Sequence, residues 1–436
     1  MSGGGPSDAQ LAERFGPVFE RIAAGAVERE RSRRLPYDEI GWLKEAGFGA
    51  LRVPVEYGGI GASMSQTVAL LIELGAADSN LPQALRGHFA FVEGRRRTRD
   101  EASRAEWFRL ISAGALVGNA QAERGPETGT TAVLVANGDG SLALSGTKYY
   151  STGTIYADWV ITAAKLGDEL LSVVASTTAE GVTRLDDWDG FGQRMTGSGT
   201  TVFDSVRVEP AHVIRLGDDE AHEHASILAL FQTVLMAALA GIARAVLRDA
   251  VDFVRPRTRS FGVMGASTPR TDPLVQGVVG RLSSLAFSAE SLVLAVAARL
   301  DAIDAARALT FEGGQGSAPV AELDSVPDSV PAAQGSAALH TAAQIAAFQA
   351  QQIVLPTVLE ATTLLFEVGG ASATSEERAL DRHWRNARTI ATHNPAIYRE
   401  QQLGDYELNG TLPVAGWVKE TLARRAADAA GAAPDA

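Results

Sequence analysis

Cysteine is absent from this chain of 436 residues, and its absence excludes several kinds of chemistry at once. Without thiols there are no disulfide scaffolds, no thiolate metal sites, no iron–sulfur clusters and no cysteine nucleophiles. Histidine is scarce, with 7 residues in all. Proton transfer near neutral pH therefore depends on one of these histidines or on a carboxyl group with a shifted pKa.

Positive charge is also in short supply. Lys and Arg total 39 against 52 Asp and Glu, which gives a net charge of −13. A broad nucleic-acid-binding surface needs an excess of positive charge, so that class of function is excluded. Hydrophobic residues make up 46% of the chain and charged residues 21%, a balance typical of a globular protein with a sizeable core.

Several well-known motifs are missing as well. The sequence has no Walker loop, dinucleotide-binding glycine fingerprint, HExxH or GxSxG in a suitable setting. His222-Glu223-His224 lies beside acidic residues without further clustered ligands, so it is interpreted as an exposed connector and no metal site is predicted. The opening residues, MSGGGPSDAQ, do not resemble a secretory signal, and we expect a cytoplasmic protein.

One long apolar run needs an explanation. From Ala225 to Ala243 there are 19 residues without a charge, which is long enough to span a bilayer. The run contains Gln232 and Thr233, it is the only one of its kind, and one of its flanks carries no basic anchor. These features favour a buried helix at the centre of a helical bundle over a membrane span.

The residue pattern changes along the chain. Apolar residues at three- and four-residue spacing predict helices in the first hundred or so residues, interrupted by the Gly- and Pro-rich segment LRVPVEYGGIGAS. Four arginines between positions 95 and 99 alternate with acidic residues, and this cluster is interpreted as a solvated helix face rather than a phosphate site. Short β-branched runs then predict strands, with hairpin turns at Asn137-Gly138 and Asp139-Gly140.

Helical spacing returns over four long segments, with a Gly-, Pro- and Ser-rich connection between the second and third. The predicted fold is mainly α with a central β domain. We expect an N-terminal helical domain over 8–115, a β domain over 116–223, a C-terminal four-helix bundle over 224–425 and a flexible tail over 426–436.

The order of several segments resembles the acyl-CoA dehydrogenase fold superfamily over nearly the whole chain. The segments are VPVEYGGIGAS, GNAQAERG, GTKYYSTGTIYAD, DDWDGFGQRMTGSGTTVFDSVRVEP and DRHWRNARTIATHNPAIYREQQLGDYELNGTLPVAGW. Within that superfamily the chain most resembles the reduced-flavin-dependent monooxygenases typified by dibenzothiophene monooxygenase. The resemblance implies an N-terminal helical domain, a middle β-barrel and a C-terminal four-helix bundle, assembled as a homotetramer.

The resemblance also implies a flavin site. It assigns flavin contacts to Asn119, Tyr150, Thr152, Trp188, Arg259, Gly369 and Gly370. An Asn side chain can both donate to and accept from the flavin edge, a Trp excludes water, and an Arg suits the phosphate. Each residue also has a structural interpretation, such as a turn-stabilising Asn, an exposed turn Trp or a cation at a helix end.

Three residues are candidates for catalysis. His393 stands where acyl-CoA dehydrogenases commonly carry the Glu that abstracts a substrate proton, and Asp and Glu are also missing between Ile227 and Leu247. The resembled monooxygenases have a His at this position, so His393 and Thr152 are predicted to hydrogen-bond to the reactive flavin. His88 is predicted to be a second His facing the pocket, with a buried structural role as the alternative.

We therefore predict a two-component flavoprotein monooxygenase that receives FMNH2 from a separate reductase, with FAD as the less favoured flavin. By resemblance, oxygen adds to flavin C4a, and the substrate is a small heteroatom-containing or aromatic molecule, with organosulfur compounds among the candidates. Two alternatives stay open: an FAD-dependent acyl-CoA dehydrogenase and a non-catalytic flavin-binding paralogue. Arg124, Ser372 and KYYSTG depart from the dibenzothiophene type, so dibenzothiophene itself is not assumed.

Overall fold

The computed structural model describes residues 5–124, 130–215, 221–258, 268–312 and 332–413. Six helices come first: α1 Asp8–Ala24, α2 Ala26–Ser32, α3 Tyr37–Glu45, α4 Met64–Ala77, α5 Asn80–Arg97 and α6 Glu101–Ser112. Serine residues begin two of them with a capping box, in which the hydroxyl accepts from the backbone three residues on and a Gln side chain accepts in return. The predicted N-terminal helices are therefore confirmed, apart from their exact bounds.

Eight strands follow and form one sheet. They are β1 Val117–Ala120, β2 Val133–Ala136, β3 Leu142–Lys148, β4 Trp159–Leu166, β5 Glu169–Ser176, β6 Val182–Arg184, β7 Thr201–Val208 and β8 Val213–Arg215. Their order across the sheet is β6-β7-β3-β2-β4-β5-β8, and β1 pairs in parallel with β4. The predicted hairpin turn joins β2 to β3, where Asn137 N donates to Ser141 O at 2.8 Å and Gly140 has a φ of 86°.

Long helices complete the fold. They are α7 Ala221–Val254, α8 Pro273–Glu312, α9 Ala332–Leu364, α10 Asp381–His393 and α11 Ala396–Asn409. α4 and α5 pack with α7, α8 and α9 around one large hydrophobic core, while the inner residues of the sheet form a second core. The predicted combination of helices, a central sheet and a helical bundle is confirmed. The predicted connection between α8 and α9 and the predicted tail lie mainly or wholly outside the described residues.

The apolar run that begins at Ala225 is the centre of the bundle. Ala225–Val254 is long and apolar enough to cross a membrane by length and composition, but 78% of its most apolar window is buried inside the protein. Gln232 and Thr233 are buried with it, and the Thr233 hydroxyl donates to Ala229 O at 2.7 Å. The prediction of a central bundle helix is confirmed.

The interpretation of the arginine cluster as a solvated helix face is wrong. Arg95 and Arg97 are buried near the end of α5, and the buried carboxylate of Glu93 forms ion pairs with Arg96, Arg97 and Arg52. Burial raises the pKa of Glu93, but the arginines outweigh it and hold the pKa far below its usual range. A carboxylate on the same helix turn thus lets these arginines lie inside the protein, a pairing that composition alone does not reveal.

Candidate active site

The loop after β3 contains the aromatic residues that the resemblance assigns to a flavin. Tyr150 has a φ of 57°, a conformation uncommon for a residue with a side chain, and 46% of its surface is exposed. Its ring meets the ring of Trp188 edge-on, with centroids 6.0 Å apart, and the Trp188 indole donates to Gly192 O at 3.1 Å. These two residues, here called the aromatic wall, offer apolar surface to a flat ligand.

Arg124 extends this surface with a positive charge. Its guanidinium lies 4.7 Å from the ring centroid of Tyr149 and 4.9 Å from that of Tyr150, and it donates to the Tyr150 hydroxyl at 3.3 Å. Arg124 is one of the positions where the sequence departs from the dibenzothiophene type. The departure therefore lies beside the aromatic wall, where it can change which ligands the wall accepts.

Thr152 belongs to a buried network of hydroxyl groups. Its Oγ1 lies 2.8 Å from Ser198 Oγ, which lies 2.7 Å from Thr196 Oγ1. The neighbouring Ser151 is 1% exposed, and its Oγ has no hydrogen-bond partner in the described part of the chain. Buried hydroxyls are normally satisfied, so an unpaired hydroxyl beside the aromatic wall is a feature expected of a ligand site.

Helix α5 rests directly against this loop and against Asn119 on β1. A Cβ atom added at Gly87 would lie 2.6 Å from Asn119 Cβ, and one added at Gly153 would collide with the carbonyl oxygen of Ala84. Gly153 also has a φ of 78°, so glycine is needed there for two reasons. Close contact at these glycines brings α5 and the predicted flavin residues together.

An adjoining side of α5 reaches His393 at the end of α10. Arg86 Nη2 lies 2.9 Å from His393 Nε2. Because arginine is only a donor, His393 Nε2 must accept this bond, which leaves the ring proton on Nδ1. The predicted catalytic histidine is therefore held by a residue that the sequence analysis did not single out.

The electrostatics of this pair are unusual. Burial lowers the pKa of Arg86 to about 10. Burial and then the positive charge of Arg86 lower the pKa of His393 to about 3, although a hydrogen bond with the Asn394 side chain acts in the opposite direction. His393 as a residue is nevertheless exposed to solvent, so it does not lie in a sealed core. At neutral pH it is an uncharged hydrogen-bonding group.

Arg86 itself and two buried glutamines each have a polar atom without a partner in the described residues. They are Arg86 at Nε, Gln83 at Oε1 and Gln351 at Oε1. Gln83 lies one turn before Arg86 on α5, and Gln351 on α9 donates through Nε2 to Asn394 O at 3.1 Å. The position of Arg86, two residues before His88 in RGHFAF, was the only available sequence signal for this group.

The structure corrects the expectation for His88. Its Nε2 lies 2.8 Å from Gly49 O, its Nδ1 accepts from Val117 N at 3.2 Å, and its side chain is fully buried. Residues 86 and 88 point to different sides of a helix, so His88 faces away from His393. Both ring nitrogens are used to join α5 to its neighbours, which is the structural role that the sequence left open.

Gly369 and Gly370 lie at the other end of the bundle. Gly369 contacts the ring of Phe253, over which the guanidiniums of Arg257 and Arg378 also lie, at 4.7 and 4.9 Å. Arg86 instead packs over Phe231, on the same helix as Phe253. At about 1.5 Å per residue these two rings are about 33 Å apart along α7, so one chain does not bring the glycines to His393.

Two features singled out in the sequence lie outside the described residues. They are Arg259 and the side chains of His222, Glu223 and His224. A separate cleft lies beside the start of α10, lined by Glu30, Asp78, Arg382 and other residues. Those three charges already have ion-pair partners, so this cleft is not a better candidate than the region around His393.

The residues around the aromatic wall meet the requirements of a flavin ring. The ring system needs an apolar face and polar partners at its edge, which the exposed Tyr150 ring and the unpaired Ser151 hydroxyl offer. The phosphate needs cations and open backbone, which Arg257, Arg378 and Gly370 offer at the end of α7.

Comparisons with known proteins agree with this architecture. Residues 12–114 match the N-terminal domain of acyl-CoA dehydrogenases and residues 320–396 match a C-terminal domain of the same family. Dibenzothiophene monooxygenase of Rhodococcus erythropolis is 28% identical, over 92% of this chain and 93% of that protein. The "probable FMNH2-dependent monooxygenase" of Pseudomonas putida is 27% identical, over 90% of this chain and 93% of that protein.

Solved structures give the same result. Methanesulfinate monooxygenase of Pseudomonas fluorescens superposes with a TM-score of 0.78 at 27% identity, covering 92% of this chain and 97% of that one. The FMN-bound enzyme TdsC of Paenibacillus sp. A11-2 has a TM-score of 0.79 at 23% identity, over 92% of this chain and 98% of that one, and shows the shared fold. The chain therefore matches both acyl-CoA dehydrogenase domains and has that fold, and its relatives include flavin-dependent monooxygenases.

Proposed function

We propose that this chain is the oxygenase component of a two-component, FMNH2-dependent monooxygenase. It would take reduced FMN from a separate flavin reductase and oxygenate a small heteroatom-containing or aromatic substrate, with organosulfur compounds as the first class to test. The observation that carries the proposal is the Arg86–His393 pair. An uncharged imidazole bonded to an arginine stands where a dehydrogenase needs a carboxylate base, and without that base α-proton abstraction loses its first step.

The residues around the aromatic wall would bind the flavin. Tyr150 and Trp188 pack against the ring and keep water away, while Asn119 and Thr152 hydrogen-bond to its edge. Arg259 binds the phosphate, together with Gly369 and Gly370. When bound, the reduced flavin reacts with O2 and supplies the oxygen atom that is transferred.

His393 would hold the reacting groups by hydrogen bonding and not by proton donation as a cation. Its Nε2 is occupied by Arg86, so its remaining proton is on Nδ1, where a ligand oxygen would compete with the Asn394 side chain that hydrogen-bonds to the ring. Because the pKa of His393 is lowered to about 3, the ring stays neutral across the physiological range. A neutral donor of this kind can stabilise charge that develops on oxygen.

We propose that the chain assembles as a homotetramer in which Gly369 and Gly370 complete the site of a neighbouring subunit. Their position at the Phe253 end of α7, about 33 Å along the helix from the Arg86 and His393 end, supports this assembly. Light scattering of the purified protein tests the tetramer. We also propose a cytoplasmic location, supported by the burial of the one long apolar helix, and cell fractionation tests it.

The function is tested by reconstitution with a generic flavin reductase, NADH and FMN under ¹⁸O2. We expect oxygenated product from an organosulfur compound such as methanesulfinate or dibenzothiophene, with one ¹⁸O atom incorporated and with dependence on both flavin and reductase. Substituting FAD for FMN in the same assay identifies the preferred flavin. Reduction of tightly bound FAD by an acyl-CoA, with no ¹⁸O incorporation into any substrate, would instead indicate a dehydrogenase.

A further inference from the structure

Arg86 differs from the other deeply buried arginines that anchor the N-terminal domain. Arg29 is 1% exposed and pairs with Glu39 and Asp78, and Arg52 is 4% exposed and pairs with Glu93 and Asp304. Arg86 is 8% exposed and makes no ion pair within the ranges that the structure describes. Burying a cation without a counterion is costly, so such a group is normally paired or serves a ligand.

The guanidinium has an unused donor in addition to its unpaired charge. Nη2 donates to His393, one face lies over the Phe231 ring at 5.1 Å, and Nε has no acceptor. Arginine presents its N–H groups as a planar fork that matches two oxygens of an oxyanion. Arg86 can therefore keep its bond to His393 and still bind an anion through its remaining N–H groups.

A neighbouring side chain adds a neutral donor to the same place. Gln83, one turn earlier on α5, is 5% exposed, and turning its unpaired amide presents an NH2 group. His393 lies beside the guanidinium, with its ring bonded to Arg86 and to the Asn394 side chain. A charged fork with an uncharged amide beside it is suited to a small oxyanion in a partly desolvated region.

We propose that Arg86 binds the anionic group of the substrate, and that the substrate is a small organic oxyanion with an oxidisable sulfur, an alkanesulfinate. This inference rests on the proposed function for its chemistry. Carboxylates and sulfonates have no lone pair on the central atom, whereas a sulfinate has two oxygens for the arginine and a sulfur lone pair for oxygenation. A new S–O bond forms as the O–O bond of O2 breaks, the product is a sulfonate, and the second oxygen leaves as water with two electrons and two protons from FMNH2.

Binding of methanesulfinate, measured by calorimetry without reduced flavin or NADH, tests the assignment directly. Dimethyl sulfoxide is the matched uncharged probe, since a methyl group replaces one oxygen of the anion. We expect wild-type protein to bind methanesulfinate at least 10-fold more tightly than dimethyl sulfoxide, and Arg86→Met to lose roughly 100-fold of the methanesulfinate affinity. Arg86→Lys should retain an intermediate affinity, because it keeps the charge but not the fork.

Arg399→Met is the matched control. Arg399 also lacks a carboxylate partner in the described residues and also lies over a phenylalanine, at 4.6 Å from the Phe348 ring centroid. This variant should bind methanesulfinate like the wild type, and FMN affinity should be unchanged in all the variants. Because Arg86→Met removes an uncompensated buried charge, its Tm without ligand should equal or exceed that of the wild type, whereas a purely structural arginine would lower the Tm on removal.

Three results would overturn the proposal: equal methanesulfinate affinity in wild type and Arg86→Met, equal affinity of the wild type for acetate and methanesulfinate, or loss of FMN affinity in Arg86→Met. Failure of the proposed function is a separate outcome. If methanesulfinate binds through Arg86 but no ¹⁸O enters it with FMNH2, the anion site stands and the monooxygenase assignment falls.

Discussion

At the scale of single residues, the hydrogen bond from Arg86 to His393 determines what the histidine can do. A free histidine near neutral pH exchanges protons, and its charge depends on small changes in pH. Here the guanidinium both occupies Nε2 and opposes a second positive charge. The pair therefore converts a residue that is usually a proton carrier into a fixed donor of known tautomer.

This leads to a prediction for His393→Gln. We expect kcat for substrate oxygenation to fall roughly 100-fold, as when one donor to a developing negative charge is removed, with FMN affinity little changed. In the wild type, kcat/KM should show no ionisation of this residue between pH 5.5 and 8, because its pKa is lowered to about 3. Steady-state assays across that range, with both proteins, check the two expectations.

The opposite outcome is easily recognised. A wild-type profile with an acidic limb near pH 6.5 that disappears in His393→Gln would mean that the ring is protonated in the working enzyme. Glutamine is the suitable replacement because its amide never becomes charged and, lying near the position of Nε2, does not reproduce the donor at Nδ1.

At the scale of elements, α5 is the wall shared by the two halves of the site. Its glycine face, at Gly87, lies against Asn119 and the loop around Thr152. An adjoining side presents Arg86 towards α7 and His393. At this contact the helix and the strand are too close for a side chain larger than glycine, so packing requires Gly87. In the proposed site, the contact between α5 and β1 sets the spacing between cofactor and substrate.

Gly87→Ala and Gly94→Ala form a matched pair of tests on one helix. The new Cβ at position 87 would lie 2.6 Å from Asn119 Cβ, whereas nothing lies within 4 Å of a Cβ at position 94. We expect Gly87→Ala to lower stability by about 1–3 kcal/mol through overpacking and to weaken FMN binding. Gly94→Ala should raise stability by about 0.5–1 kcal/mol, since alanine is the better helix former.

Urea unfolding and FMN titration of both variants provide the measurements. Similar behaviour of the two variants would show that α5 is not held against β1 as the structure describes. A loss of FMN binding in Gly94→Ala alone would likewise contradict the assignment of the glycine face.

The elements were predictable from sequence to the extent that their patterns are local. Period and turn signals located the four main strands, the hairpin at Asn137-Gly138 and the central helix from Ala225. The partners of Arg86 and Glu93 were not predictable, because His393 and Arg52 lie far away in the sequence and burial of a charge depends on what the fold brings beside it. For the same reason His88 could be identified as a site candidate but not as a residue with both nitrogens occupied.

At the scale of the whole molecule, buried neutral histidines make stability depend on pH. Burial lowers the pKa of both His88 and His383 to about 4, below the ordinary value of 6.5. Between those values the unfolded chain binds protons at these sites and the folded chain does not. Stability is therefore greatest above about pH 6.5 and is lost as the pH falls towards 4.

We expect the free energy of unfolding to fall by about 2–3 kcal/mol per pH unit near pH 5, from two histidines at about 1.4 kcal/mol each. Glu93 and Asp249 extend the loss to lower pH, because ion pairs and hydrogen bonds outweigh burial and hold the pKa of each below its usual range. Urea unfolding at intervals from pH 7.5 to 4.5 gives the slope. A free energy of unfolding that stays constant from pH 7 to 5 would contradict the buried neutral state of these histidines.

The two-sided packing of α5 has a consequence for altering the enzyme. Because Gly87 is committed to packing against β1 while Arg86 lies on an adjoining side of the helix, towards α7 and His393, substitutions that change substrate range belong at Arg86 and leave the contact with β1 intact. Selection, natural or in the laboratory, can then explore new substrates along a single stripe of one helix. A variant at Arg86 that accepts uncharged sulfur compounds is the first product to look for in such a library.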